Sequence, residues 1–494
     1  MKRCWRAMSR LAAATMAAAI LCAPAAAQRR DKTLEAALLA HVTELASDAY
    51  DGREPGTEGE AKTLRYIGKQ WFEIGLESGT NDPSNAWFAP VRLVAREPAS
   101  SRAVFSRRGR PQYVPPGSTE VFTSGKRTLV NTAPILFVGK GEGDIGRAEL
   151  AGRIALLLDG GSESSKRQNA LLKAGAAGVL TVLDGERTLE QVRARRGRSG
   201  YALATEELGG DLEAFITAEG LTRALAGGLI DLPALEALAA KPGFTSKLLD
   251  LAVTLEATTR ETRINTHNVI GRLPGRRPES GAVLLMAHWD HFGECAAAPA
   301  EDRICNGAID NASGVAALTE IARRLSRGPA MDRDVYFLAT TAEEIGLLGA
   351  EAFAEDPPLP LNQIVAAFNL DSFALAPRGA PLGIVGRGLT PLDAGIAAVA
   401  KAQKRKVVDS DAANAYIRRQ DGWALLQHDV PTVMVSSSWS DVARVERFFD
   451  GDYHRPSDQV KPGLDLSGTA EDVTFHVALV RHFADARKVP PRSE

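Results

Sequence analysis

The sequence predicts an α/β protein with a mostly parallel central sheet, helices on both of its faces, and a small β-rich α/β section inserted into it. Three observations support this fold class. Short apolar segments alternate with amphipathic helical ones over residues 262–485, as in a parallel sheet covered by helices. These segments are continuous, as expected of strands buried on both faces. Residues 96–255 differ, because they are rich in short apolar runs and turns and contain one clear helical segment.

The chain length indicates more than one domain. A chain of 494 residues is longer than one hydrophobic core usually serves. Its 45% hydrophobic and 24% charged residues are ordinary for a globular protein and argue against disorder or a fibrous repeat. We predict a signal peptide (1–27), a first section (28–95), a middle section of different character (96–255) and a main section (256–494).

The first 27 residues have the layout of a secretory signal. Four basic residues open the chain, an apolar run follows at 11–23, and three alanines at 25–27 offer a cleavage site. The apolar run has 13 residues, which is too few to cross a bilayer. We therefore expect a periplasmic or secreted protein without a membrane segment after cleavage.

The net charge and the cysteines of the chain after residue 27 indicate which partners and which covalent links to expect. Removal of residues 1–27, with four positive charges and no negative ones, would take the formal net charge from −2 to −6. A mildly acidic protein gives no support for binding to nucleic acid or anionic membranes. Only Cys295 and Cys305 would remain. They could form a disulfide in an oxidising compartment, and two free buried thiols are the alternative.

The elements before the main section are predicted from periodicity. Apolar residues recur at helical spacing from Leu34 to Leu45, and a second amphipathic helix covers about 60–74 after a polar turn at 51–59. Within the middle section we predict strands at 133–138, 153–158 and 178–183 and a helix at 165–174. No cluster of His, Asp or Glu with metal-ligand spacing occurs in that section. It is interpreted as a binding or shielding module.

The main section contains the most regular alternation. Its predicted strands are 283–287, 335–340, 365–370, 382–385 and 432–435. Its predicted helices are 313–325, 350–355, 391–403 and 423–427. Ser313 is placed as the N-cap of the first of these helices.

Residues suited to metal binding follow the predicted core strands. His288 follows the first strand directly, Glu343 and Glu344 follow the second, and Asp371 follows the third. Parallel sheets bind ligands beyond the carboxyl ends of their strands, so these side chains should converge. Asp310, just before a helix, and His454, in a loop, are further candidates. Each has an ordinary structural explanation alone, such as a helix cap, but coincidence is harder to accept for the whole set.

The ligand types indicate the metal. Two imidazoles and three carboxylates suit Zn²⁺. Five side chains exceed what one catalytic zinc ion accepts, so the set predicts two zinc ions that share a carboxylate. The predicted ligands are His288, Asp310, Glu344, Asp371 and His454. Glu343 is the natural general base, and Asp290 could accept the ring N–H of His288 and fix its tautomer.

Five segments around these residues resemble, in order, the motifs of the M28 family of zinc metallopeptidases. They are residues 287–293 (AHWDHFG), 306–314 (NGAIDNASG), 342–349 (AEEIGLLG), 369–371 (NLD) and 453–458 (YHRPSD). The opening segment at 51–59 is similar to the start of many members. Residues 137–139, 152–154 and 174–179 resemble parts of a protease-associated domain inserted into that catalytic domain.

The resemblance implies a division of roles among the ligands. Asp310 would bridge the two zinc ions. His288 and Asp371 would complete one site, and Glu344 and His454 the other. The implied activity is that of an aminopeptidase, which removes N-terminal residues from peptide substrates.

The resemblance also implies the proton transfers. Glu343 would take a proton from the attacking water and pass it to the leaving amine, and Tyr453 would add a hydrogen bond to the developing oxyanion. One segment departs from the family pattern. Many members have Ser-Asp-His before an aromatic residue, whereas residues 419–423 read Arg-Gln-Asp-Gly-Trp, with Gly422 in place of the histidine. This change puts the side-chain preference in doubt.

Other functions remain open at this point. A carboxypeptidase or dipeptidase would use the same metals but would need a cation for the substrate carboxylate, and the candidates are Arg378, Arg387, Arg418 and Arg419. A glutaminyl cyclase is linked to one-zinc variants of the fold, and the complete ligand set argues against it. A non-catalytic receptor-like homologue would have lost ligands, and zinc content would distinguish it.

Overall fold

The computed structural model describes residues 30–84, 86–142, 145–159, 161–197, 200–206 and 209–492. The predicted signal peptide at 1–27 lies outside the described residues. No helix within the described ranges combines the length and the apolar character that a membrane span requires.

The helices of the described residues include all those expected from periodicity. They are α1 (Lys32–Leu45), α2 (Glu58–Ile74), α3 (Arg147–Leu150), α4 (Ser164–Lys173), α5 (Leu189–Arg196), α6 (Ala218–Leu225), α7 (Leu232–Ala239), α8 (Ser313–Ser326), α9 (Leu348–Glu355), α10 (Asp393–Ala402), α11 (Gly422–Gln427), α12 (Val442–Gly451) and α13 (Ser467–Phe483).

The strands include every predicted one, with small shifts at their ends, except that β5 begins at Arg127, well before the predicted start at residue 133. They are β1 (Glu77–Ser78), β2 (Phe88–Arg107), β3 (Arg110–Pro111), β4 (Thr119–Thr123), β5 (Arg127–Phe137), β6 (Ile154–Leu158), β7 (Gly178–Leu183), β8 (Gly200–Leu203), β9 (Leu212–Thr217), β10 (Lys247–Leu273), β11 (Ala282–His288), β12 (Asp334–Thr340), β13 (Ile364–Asn369), β14 (Gly383–Val385) and β15 (Thr432–Ser436).

The predicted fold class is confirmed. The sheet has the strand order β14-β15-β13-β11-β12-β10-β5-β6-β7-β9-β4. β11 is parallel to β12 and β13, and β13 is parallel to β15. The antiparallel strands β14 and β10 flank this parallel core. A second parallel set, β5, β6, β7 and β9, lies in the middle section.

Helices cover both faces of the main sheet. Alternate residues of β11 enter different cores: Val283 and Leu285 pack with α1, α8 and α13 on one face, and Leu284 and Met286 pack with α9 and α11 on the other. This alternation explains why the strand is apolar throughout. The middle section has a further buried core of its own around β5, β6, β7 and β9.

Two long antiparallel strands connect the main and middle sections. β2 and β10 pair from Phe88 and Val269 at one end to Ser106 and Ala252 at the other. The first part of β10 also pairs with β5, and its last part pairs with β12. The predicted borders after residues 95 and 255 therefore fall inside continuous strands. Burial alternates along β10 as far as residue 258, residues 260–263 are exposed, and burial resumes at Thr266, so the strand enters two separate cores.

The prediction that Ser313 is an N-cap is wrong. α8 begins at this residue, and the hydroxyl of Ser313 donates to the carbonyl of Ile309 at 2.7 Å. The side-chain oxygen of Asn311 instead accepts the backbone N–H of Gly314 at 2.9 Å. The reason is that the backbone of Asp310 and Asn311 is not helical and the regular helix follows directly, so that Ala312 takes the N-cap position and Ser313 already lies inside the helix.

The middle section contacts the main section close to the β12–α9 loop. β8 pairs with β2, and its Leu203 packs in a buried cluster with Ala342 and Leu348. The hydroxyl of Thr205 donates to Glu355 of α9 at 2.9 Å. Leu203 thus packs beside the loop that carries the Glu343–Glu344 pair.

We predict that Leu203→Ala lowers the melting temperature. Leu203 is 6% exposed, and truncation of a buried leucine costs about 2–5 kcal/mol. The matched control is Leu229→Ala, because Leu229 is 85% exposed and surface changes usually stay within about 0.5 kcal/mol. Differential scanning calorimetry measures both variants, and equal melting temperatures would show that the contact between the sections contributes nothing.

Candidate active site

The predicted metal ligands converge at the carboxyl edge of the main sheet. β11 ends at His288, β12 ends shortly before Glu343 and Glu344, and β13 ends two residues before Asp371. These three strands are parallel neighbours, so their carboxyl ends meet at one edge. The loops that carry Asp310 and His454 complete the cluster.

Asp310 lies between the two histidines. Its Oδ1 is 3.2 Å from Nε2 of His288, and its Oδ2 is 3.3 Å from Nε2 of His454. Nε2 of His288 is also 3.8 Å from Asp371 Oδ1, and Nε2 of His454 is 3.0 Å from Glu344 Oε2. Each histidine therefore faces Asp310 and one further carboxylate.

These atoms fit a bound metal. Nε2 of His288, Oδ2 of Asp310 and Nε2 of His454 are buried and make no hydrogen bond within the described structure. Buried polar atoms are normally paired, and a cation between them would satisfy all three. The donor atoms of His288, Asp310 and Glu344 lie within 4.8 Å of one another, as do those of His288, Glu343 and Asp371. Such a nitrogen and oxygen donor set suits zinc.

The carboxylates strongly perturb the two imidazoles. Burial lowers the pKa of His288, but the charges of Glu343, Asp310 and Asp371 outweigh it and raise that pKa well above its ordinary value. Burial likewise opposes protonation of His454, yet the neighbouring carboxylates of Asp310 and Glu344 raise its pKa to about 9. The site thus attracts positive charge, which either protons or a metal can supply.

Glu343 has the electrostatics of an acid–base group. Burial raises its pKa well above the ordinary value, His288 opposes this rise, and Glu344 and Asp421 add to it. Burial also raises the pKa of Asp421 to about 7. A carboxyl with a raised pKa exchanges protons more readily near neutral pH.

Asp290 has a different role from the one predicted. The ring N–H at Nδ1 of His288 donates to the main-chain carbonyl of Asp290 at 3.2 Å, and the carboxylate is farther away at 3.8 Å. That carboxylate instead accepts the backbone N–H groups of Glu343 at 3.2 Å and Glu344 at 3.4 Å. Asp290 therefore orients His288 through its main chain and the Glu343–Glu344 pair through its side chain.

Two functional neighbours were missed by the sequence analysis. His291 contacts Oε1 of Glu344 through Nδ1. Asp458 accepts the backbone N–H groups of Ile309 and Asp310, each at 3.0 Å. Both residues lie in the motif segments already identified, which was the available signal. They fix the positions of Glu344 and Asp310.

Arg53 lies beneath the site and holds the loops that carry the ligands. Its guanidinium is buried and donates to the main-chain carbonyls of Leu45 at 2.8 Å, Trp289 at 2.8 Å, Asn306 at 2.6 Å and Gly307 at 3.0 Å. Burial lowers its pKa to about 10, so it remains a cation at neutral pH. It ties the amino-terminal segment to the loops that carry His288 and Asp310.

A glycine permits close contact between two ligand loops. A Cβ atom on Gly314 would lie 2.2 Å from the carbonyl oxygen of Leu370. Asn311 crosses the same gap, because its amide donates to that carbonyl at 2.9 Å. The Asp310 loop therefore packs directly against the start of the Asp371 loop.

In the loop between His291 and Asp310, Cys295 and Cys305 form a disulfide.

Aromatic side chains form one wall of the site. The ring of Tyr453 stacks on His454 with centroids 3.5 Å apart, and Phe292 contacts His454 at 4.5 Å. Burial raises the pKa of Tyr453 well above its ordinary value, so its hydroxyl keeps its proton. Tyr453 lines a narrow cavity together with Asp310, Glu343 and Asp371.

The four candidate arginines have different surroundings. Arg378 pairs with Glu471 at 3.1 Å, and Arg387 pairs with Asp409 at 2.6 Å. Arg418 lies over the ring of Trp423 at 5.0 Å. Arg419 lines the same cavity as Asp310, Glu343 and Asp371.

The space of the missing family histidine is filled by neighbouring side chains. A Cβ atom on Gly422 would lie 2.7 Å from both Gln420 Oε1 and Thr432 Cγ2. Gln420 accepts the backbone N–H of Gly422 at 2.8 Å and the amide of Asn369 at 2.7 Å. A side chain at position 422 would therefore collide with Gln420 and Thr432 unless they moved.

Comparisons with known proteins point to a family of peptidases. The family model described as "Peptidase family M28" matches residues 268–477. The chain is 34% identical over 103 residues to the alkaline phosphatase isozyme conversion protein of Escherichia coli (19% of this chain, 29% of that protein). It is 32% identical over 119 residues to aminopeptidase YwaD of Bacillus subtilis (24% of this chain, 23% of that protein). The matches thus span less than a third of these relatives.

A solved structure supports the fold over a longer range. The aminopeptidase from Aneurinibacillus sp. strain AM-1 is 19% identical, with a TM-score of 0.52, and the match covers 92% of this chain and 94% of that one. This similarity concerns the fold. The segment that carries the converging ligands, residues 268–477, is the segment that matches the model of peptidase family M28.

Proposed function

We propose that this chain is an exported aminopeptidase that uses two zinc ions to hydrolyse the N-terminal residues of peptides. One observation carries the proposal: Asp310 lies between His288 and His454, with an oxygen facing each ring, and three of these buried atoms make no hydrogen bond. Two of the similar proteins are named aminopeptidases, which supports the choice of the N-terminal end.

The ligands would divide around Asp310. His288 and Asp371 would hold one zinc ion, Glu344 and His454 would hold the other, and Asp310 would contact both. When bound, the metal supplies Lewis acidity, which polarises a carbonyl and favours ionisation of water. The site is positioned by Asp290, Asp458 and Arg53 through the main-chain contacts described above.

The chain's own residues would move the protons. Glu343 lies within 4.8 Å of the donor atoms of His288 and Asp371, where it can accept a proton from the attacking water and deliver it to the leaving amine. The protonated hydroxyl of Tyr453 lines the same cavity and would donate to the developing oxyanion. The buried carboxylates would attract the free amino group of the substrate.

We also propose that residues 96–255 are an inserted protease-associated domain and that residues 1–27 direct export. The domain would limit access to the site, because its Leu203 packs beside the Glu343 loop. Deletion of the domain should then alter the relative rates on long and short peptides, and unchanged ratios would contradict this role.

The test of the function is hydrolysis of a panel of aminoacyl anilides by the zinc-loaded protein, beside N-acetylated versions of the same compounds. We expect activity on free amines alone, lost on chelation and restored by zinc. Cleavage of peptides from the carboxyl end without activity on the panel would favour a carboxypeptidase. Absence of bound zinc would favour a receptor-like protein.

Glu343→Gln should lower kcat by about 10²–10⁴-fold while the zinc content stays unchanged. The reason is that this variant keeps the shape of the side chain but removes the proton acceptor. Glu351→Gln is the matched control, because Glu351 lies on α9 outside the cavity. Steady-state kinetics and metal analysis measure the two effects. Loss of zinc in Glu343→Gln would show that Glu343 is a ligand instead.

Zinc uptake should release protons. The raised pKa values of His288 and His454 favour the protonated rings without metal, whereas a zinc ligand is a neutral imidazole. We expect about two protons released per chain at pH 7 and an apparent affinity that falls as the pH falls. The contribution of His454 should disappear as the pH rises above about 9.

Calorimetric titration in two buffers with different ionisation enthalpies measures this release. His428→Ala is the control, because His428 lies on the surface, where its ring pairs with Glu351 at 3.7 Å. Equal heats in the two buffers at pH 7 would contradict the predicted protonation of His288 and His454.

A further inference from the structure

Arg419 presents its guanidinium between aromatic rings. The guanidinium carbon is 4.9 Å from the ring centroid of Phe449, 5.8 Å from that of Tyr453 and 5.9 Å from that of Tyr416. At these distances the cation interacts with the aromatic rings. The guanidinium also carries five N–H donors, which such ring contacts leave able to bind an acceptor.

The guanidinium N–H groups of Arg419 have no hydrogen-bond acceptor among the described residues. Within those ranges, the side chain of Arg419 makes no ion pair with a carboxylate and no hydrogen bond, whereas Arg378 and Arg387 each pair with one. Arg419 is also the one of the four candidate arginines that lines the described cavity with Asp310, Glu343 and Asp371. An exposed cation with aromatic neighbours, but with no carboxylate partner among the described residues, therefore lines the cavity where the substrate would react.

We propose that Arg419 is a specificity residue that binds a carboxylate of the substrate. This proposal rests on the proposed peptidase function. The other charged groups of the cavity are carboxylates, which repel an acidic substrate unless a cation compensates. Arg419 provides that cation in a planar form that suits two parallel hydrogen bonds to a carboxylate.

The carboxylate could come from two positions of a substrate. One is the acidic side chain of an N-terminal Glu or Asp. The other is the free terminal carboxylate of a dipeptide. Both present the same chemistry to Arg419, and matched substrate pairs separate them.

The experiment compares ratios of kcat/KM for the zinc-loaded protein. The first pair is the glutamyl and glutaminyl anilides, which differ only in the side-chain charge. The second pair is alanyl-alanine and its C-terminal amide. Arg419→Met removes the charge, Arg419→Lys keeps the charge but lacks the planar fork, and Arg418→Met is the control on the neighbouring arginine.

We expect one ratio to fall about 10- to 100-fold in Arg419→Met, as for a lost hydrogen bond to a charged group. The fall should be smaller in Arg419→Lys and absent in Arg418→Met. The pair that responds identifies the source of the carboxylate. Equal losses on both members of each pair, or no change in either ratio, would overturn the proposal.

A second measurement separates this proposal from the proposed function. Calorimetry measures binding of glutamyl-alanine and glutaminyl-alanine, and of alanyl-alanine and its amide, to zinc-loaded Glu343→Ala with and without Arg419→Met. Tighter binding of the ligand that has the carboxylate, lost in Arg419→Met, would support this role even if no substrate were hydrolysed. Equal affinities within both pairs would overturn it whatever the catalytic result.

Discussion

Carboxylates crowd the carboxyl edge of the sheet, and the arrangement around Asp310 depends on how their repulsion is offset. Removing charges from water is costly unless opposite charge lies close by. In the described structure the imidazoles of His288 and His454 face these carboxylates directly, and the shifts of their pKa values follow from that. Because a divalent cation supplies more positive charge than one proton at the same position, the arrangement is suited to metal binding.

The positions of the ligands depend on main-chain contacts. The ligands lie on loops, and loops need support if a site is to be rigid. Arg53 donates hydrogen bonds to the main-chain carbonyls of residues 45, 289, 306 and 307. Asp290 accepts the backbone N–H of Glu344, and Asp458 accepts that of Asp310. Hydrogen bonds from these buried charged side chains thus hold the loop backbone in place, and the backbone in turn positions the predicted metal ligands.

The middle section is built into the same framework. The shared strands β2 and β10 give it a continuous hydrogen-bonded connection to the main sheet. Leu203 adds a packing contact beside Ala342, next to Glu343. A connection through two paired strands is stiffer than a flexible linker, so the section keeps a defined position near the loop that carries Glu343.

The sequence by itself determined the fold class, the core strands and the cluster of metal-type residues, because continuous apolar runs and strand-end polar residues are local signals. It did not reveal the cap at Asn311, the role of the Asp290 carboxylate, the buried Arg53 or the uninterrupted path of β10. These features join residues that are distant in sequence: Arg53 contacts Asn306, and Asp290 contacts Glu343. Only the tertiary structure decided them, because such contacts depend on the relative positions of loops that no local pattern specifies.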